Sequence, residues 1–146
     1  MAEKPSKRLQ TVLRLAKLKE QQAAEKLANA IRLVQAQKAQ LQQLDQYKAE
    51  YGNQFQQSVA QQLNVAKLAN FQRFYHNLEQ VGETQQERQV LAEQQQDQAR
   101  ALWQQQYSRH KNMQSLIERK QHQEQASEDK KLQREQDDRK YPSDHD

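Results

Sequence analysis

Between Ser6 and Tyr141 the chain contains no proline; its two prolines are Pro5 and Pro142. The residue that breaks helices most strongly is therefore absent from everything but the two ends. The same stretch is rich in Gln, Glu, Lys, Leu, Ala and Arg, all good helix formers. Alternating β-branched runs and Asn-Gly or Asp-Gly hairpin turns are missing. The sequence predicts a chain that is helical almost throughout, with Ser6 as the N-cap of the first helix. Such helices have little with which to build a thick core. Leu, Ile, Val and Phe total 26 of 146 residues, against 32 glutamines. The hydrophobic fraction of 34% falls below the roughly 45–50% of ordinary globular domains. An elongated coiled coil needs only a thin apolar seam and fits this composition. Disorder usually combines low hydrophobicity with high net charge, and here the net charge is only +4.

Several functional classes fall away on residue types alone. No cysteine is present, which removes disulfides, thiolate nucleophiles and cysteine zinc sites. The histidines, His76, His110, His122 and His145, show no metal-ligand spacing and read as surface residues of a helix. Two glycines, Gly52 and Gly82, do not make a phosphate-cradling loop. No cofactor, metal, small-molecule substrate or catalytic residue is expected, and the chain reads as non-enzymatic. No apolar run approaches the roughly 18 residues of a membrane span, and Met1 to Gln10 lacks the apolar stretch of a secretory signal. Basic residues are interspersed with glutamine rather than gathered in a reading module, so nucleic acid is not an expected partner.

Periodicity defines the helices. Leu13, Glu20, Leu27, Val34, Leu41, Lys48 and Phe55 form one seven-residue series. Leu9, Ala16, Ala23, Ala30, Gln37, Leu44 and Tyr51 form a second, offset as a and d positions are. Eleven of these fourteen are apolar, about twice the share that overall composition would give. Later, Phe71, Leu78, Gln85, Ala92, Ala99, Gln106 and Met113 interleave with Phe74, Val81, Arg88, Gln95, Leu102, Arg109 and Leu116, nine of fourteen apolar. The phase is lost around Gln56 to Leu68, where Asn64 is placed to cap a new helix. The expected fold is all-α: a single domain forming a long antiparallel two-helix coiled-coil hairpin with a polar C-terminal extension or tail. Its expected elements are helix 1 over about 6–56, a turn over 57–64, helix 2 over 65–138 and a disordered tail over 139–146. Facing residue numbers would sum to roughly 123, setting Leu44 beside Leu78, Tyr51 beside Phe71 and Leu9 beside Met113. A continuous parallel dimer is the alternative, and the phase break disfavours it.

Chemistry divides along the hairpin. Six of nine aromatic residues, Tyr47, Tyr51, Phe55, Phe71, Phe74 and Tyr75, straddle the turn. That is more rings than a two-helix coil can bury, so part of the cluster is expected on the surface as a protein contact. Residues 1–20 and 100–120 each carry a net +4, whereas residues 40–98 carry −3. Two chemically different ends suit two different partners.

The order of these features resembles the flagellar export protein FliJ family. The likeness rests on Arg8-Leu9-Gln10-Thr11-Val12-Leu13-Arg14-Leu15-Ala16, on Gln40 to Tyr51 with its Tyr47/Tyr51 pair, and on Asn70 to Glu79. Trp103 midway through the second helix and the polar tail ending Lys140-Tyr141-Pro142 also fit. The resemblance covers essentially the whole chain. It implies a component of the flagellar type III export apparatus, in the cytoplasm and peripherally associated with the inner face of the cell membrane at the flagellar base. It implies a stalk-like coiled coil that binds and stimulates the hexameric export ATPase and contacts the membrane export gate and export chaperones. Positions matching the family's gate-contacting surface are Gln40, Leu44, Tyr47, Tyr51, Phe74, Leu78, Val81 and Gln85. Val81 stands for a small residue, and Gln85 for a histidine found in some members, so a titratable role there is not carried over. For the ATPase-binding end the basic candidates are Lys7, Arg8, Arg14, Lys17, Arg109 and Lys111. A stalk, scaffold or chaperone of a related secretion system is the alternative, with a nucleic-acid binder a distant third.

Overall fold

In a computed structural model of the chain, residues 4–61 and 64–140 are described. They form two helices, α1 (Pro5–Val59, 55 residues) and α2 (Val65–Lys140, 76 residues), and no strand among the described residues. Helix α2 starts where a side chain can satisfy its first free amides. The Asn64 Oδ1 accepts the Lys67 N–H at 2.8 Å, the cap the sequence predicts at this position. Helix α1 begins one residue earlier than expected, with Pro5 in the first turn, where its missing N–H costs nothing. Ser6 therefore lies inside the helix and is not its N-cap. At its other end α1 runs on to Val59, past the expected limit of 56. The Ala60 and Gln61 amides then close a turn onto the carbonyls of Gln56 and Ser58. Helix α2 takes in Arg139 and Lys140, cations at the negative end of its dipole. The remainder of the expected tail, 141–146, and residues 62–63 of the expected turn lie outside the described residues.

The two helices pack against each other in two compact units: Ala24–Leu102, and the start of α1 as far as Ala23 with α2 from Trp103 onward. In each, α1 follows its predicted seam, for all fourteen positions from Leu9 to Phe55 are buried or half-buried.

Helix α2 departs from prediction in one of its two series. Phe71, Leu78, Gln85, Ala92, Ala99, Gln106 and Met113 face α1. Their companions, however, are Tyr75, Gly82, Gln89, Gln96, Trp103, His110 and Ile117. The expected Phe74, Val81, Arg88, Gln95, Leu102 and Arg109 are exposed, and only Leu116 is half-buried. Each lies one residue before a true seam position. Counting apolar residues favours the wrong column by a single residue, because the true one holds glycine, histidine and two glutamines. Packing decides otherwise. Phe71 stacks between Phe55 and Tyr75, with ring centroids 3.6 and 5.7 Å away. At Gly82, Leu44 Cδ2 comes within 3.6 Å of where a Cβ would stand.

Long side chains reach across to both sides of the expected register, so that in the unit Ala24–Leu102 Gln37 meets Gln85 while the adjacent Lys38 pairs with Glu93 at 4.0 Å. Within Ala24–Leu102, Tyr51 stacks on Phe71 at 5.1 Å and Gln85 Nε2 donates to the Gln37 carbonyl at 3.2 Å, each within one residue of the expected pairing. In the other unit Ser6 meets Glu124, and His110 Nδ1 lies 3.9 Å from Glu20 Oε2, pairings seven residues further along α2 than expected. Met113 shares a groove with Val12 and Ala16.

Candidate partner interfaces

The eight positions implied for gate contact all lie in the unit Ala24–Leu102. Their spacing, 40, 44, 47 and 51 on α1 and 74, 78, 81 and 85 on α2, runs i, i+4, i+7, i+11 on each helix and defines one face of each. Rings join the two faces: Tyr47 meets Phe74 edge-on at 6.3 Å, and Tyr51 meets Phe74 at 4.5 Å. The set divides by burial. Gln40, Tyr47, Phe74 and Val81 are exposed, the last three at 49%, 36% and 55%. Leu44 and Tyr51 are half-buried in the seam, while Leu78 and Gln85 are each buried to 8% exposure. Leu78 and Gln85 thus hold the helices together beneath the surface that Tyr47, Phe74 and Val81 present.

Gln85 is a structural polar residue. Its amide donates both to the Gln37 carbonyl oxygen and to Gln37 Oε1, and a buried polar pair of this kind specifies register. One turn on, Gln89 Oε1 is buried without a hydrogen-bond partner.

The basic candidates Lys7, Arg8, Arg14, Lys17, Arg109 and Lys111 are all exposed in the terminal unit. Two of them have different surroundings. Lys111 Nζ lies 5.5 Å from the Tyr107 ring centroid, and Tyr107 packs on Trp103 at 5.3 Å. Arg109 instead lines a groove of about 490 Å³ between the helices, with Val12, Leu15, Ala16, Met113 and Leu116 as its apolar floor and Lys19 and Arg119 among its other walls. Val12, Leu15, Lys19 and Arg119 are not among the site residues expected from the sequence. The signal was available, since Val12, Leu15 and Lys19 each precede a seam residue and widen the stripe beyond what two helices cover.

His110 corrects a further expectation. It is buried at 9% exposure in the seam, facing Glu20, and its Nε2 has no hydrogen-bond partner. Among the described residues no group of histidines and carboxylates is arranged to hold a metal ion, and no helix is long and apolar enough to cross a membrane.

The family described as Flagellar FliJ protein matches residues 5–140. The chain belongs to this family. Comparison with curated proteins and with solved structures finds no match to either. Membership makes it a flagellar export apparatus component, of a family that works in type III protein secretion without catalysis of its own.

Proposed function

We propose that the chain is a stalk-like adaptor that binds the export ATPase hexamer, stimulates it, and contacts the export gate and export chaperones. On this reading it works in the cytoplasm, peripherally associated with the inner face of the membrane at the flagellar base. The observation that most supports two kinds of partner is the chemical difference between the two units. One carries the net-positive segments 1–20 and 103–120. The other carries the net-negative segment 40–98 and the exposed rings of Tyr47 and Phe74. Lys7, Arg8, Arg14, Lys17, Arg109 and Lys111 then serve the ATPase; Tyr47, Phe74 and Val81, supported by Gln40, Leu44, Tyr51, Leu78 and Gln85, serve the gate.

The mechanism is differential binding. A protein that attaches more tightly to an assembled, active ring than to free subunits shifts the population towards that ring. Neither glycine lies in a phosphate-binding motif, which supports a role in which the partner does the hydrolysis. The test is to titrate the full chain into the purified export ATPase and follow hexamer fraction and turnover. Both should rise together, and charge reversal at Arg14, Lys17 and Arg109 should shift the rise to higher concentration. If neither quantity moves, the stalk reading fails.

A further inference from the structure

We infer that the groove in the terminal unit is a docking site for one amphipathic helix of a partner protein, apolar on its inner face and acidic on both flanks. A two-stranded coil needs two apolar columns per helix. Here α1 adds Val12 and Leu15, 46% and 51% exposed, and α2 adds the half-buried Leu116 beside Met113. These residues form one apolar trough that neither helix covers. Along α2 it reaches from Gln106 to Arg119, about 20 Å at ~1.5 Å per residue. That length matches three to four turns of a third helix laid in the valley, the helix-in-groove mode of recognition.

Charge selects the occupant. Lys19, Arg109 and Arg119 stand along the trough and no acidic residue lines it. None of the three forms an ion pair among the described residues. A helix with glutamates or aspartates flanking a leucine stripe satisfies these cations while filling the trough; a basic or uncharged helix leaves them facing like charge or nothing. The site is defined by its own chemistry and does not rest on the ATPase reading.

The probe is a fluorescein-labelled 18-residue synthetic peptide, leucine at i, i+4, i+7 and i+11 with glutamate on either side, titrated with the full chain and read by anisotropy. Saturable binding is expected. It should weaken by about tenfold or more when lysine replaces the flanking glutamates, and equally in Leu15→Glu and in Arg109→Glu with Arg119→Glu. Val90→Glu, on the exposed face of α2 in the other unit, should leave it unchanged. The charge-reversed variant keeps the apolar floor, so it reports on the groove even if Leu15→Glu perturbs folding. Three results would overturn the assignment. They are equal binding of glutamate and lysine peptides, self-association of the chain that Leu15→Glu abolishes, and binding to anionic lipid vesicles without binding to the peptide. Because no ATPase is present, failure here leaves the stalk reading standing, and the converse also holds.

Discussion

Glu124 of α2 holds Ser6 of α1 with both carboxylate oxygens: Oε2 accepts the Ser6 hydroxyl at 2.7 Å and Oε1 accepts the Ser6 N–H at 3.2 Å. The first turn of α1 contains no acidic residue of its own. An unpaired amide and the positive end of the helix dipole are thus answered from the other helix. The neighbouring Lys4 ammonium pairs with Glu128 of α2, which raises its pKa above the ordinary lysine value. The Ser6 hydroxyl, followed by its amide and Lys4, holds the Glu124 carboxyl below its ordinary value.

That shift fixes a sign. A carboxylate whose folded pKa is depressed contributes stability above its unfolded pKa and loses it as pH falls through the folded value. Amide protection at Lys7 to Gln10, taken relative to the intrinsic exchange rate at each pH, should therefore be high at neutral pH and fall through the acid range below ordinary carboxyl titration. Glu124→Gln should show low protection at neutral pH and lose the acid-range step. Ser6→Ala should behave similarly in direction. An unchanged exchange profile in Glu124→Gln would show that the contact does not anchor α1.

The position of the α2 seam predicts opposite costs for two residues three apart. Leu78 is buried and Val81 is 55% exposed. Leu78→Ala should lose about 2–3 kcal/mol by removing buried apolar volume and leaving a void, whereas Val81→Ala should stay within about 0.5 kcal/mol. Urea denaturation followed by helical circular dichroism separates them. Equal losses would return Val81 to the seam.

Two glutamines one turn apart should also respond differently. Gln85 is bonded across to Gln37, while Gln89 Oε1 is buried without a partner. Gln85→Ala should cost about 1–2 kcal/mol, because it leaves Gln37 unsatisfied and opens the seam. Gln89→Leu should gain about 1 kcal/mol by removing a buried orphan acceptor. Thermal melts of the two variants read the difference directly.

How far the sequence could be read depended on how much apolar contrast each helix carries. Helix α1 alternates Leu, Ala and Val against Lys, Glu and Gln with few ambiguities, and its seam followed from spacing alone. Asn64 was legible for a local reason, since its cap acts on an amide three residues away. In α2 the contrast is spent elsewhere. Phe74, Val81 and Leu102 sit outside the seam while Gly82, Gln89, Gln96 and His110 sit inside it. Only the shape of α1 opposite, with Leu44 closing on Gly82, chooses between columns one residue apart. Ser6 reads locally as a cap because the partner that redefines it, Glu124, is 118 residues distant. The surface implied by the family shares this history. Tyr47, Phe74 and Val81 reach solvent because the seam runs one residue beyond them.

That relation makes the proposed gate contact of Phe74 and Val81 the most direct point to test. The measurement is the affinity of the export gate's cytoplasmic domain for the wild-type chain and for Phe74→Ala with Val81→Glu, alongside helicity and melting temperature. An affinity loss of about tenfold or more, roughly 1.4 kcal/mol or above, is expected with helicity retained. Unchanged affinity in a variant that remains folded would contradict it.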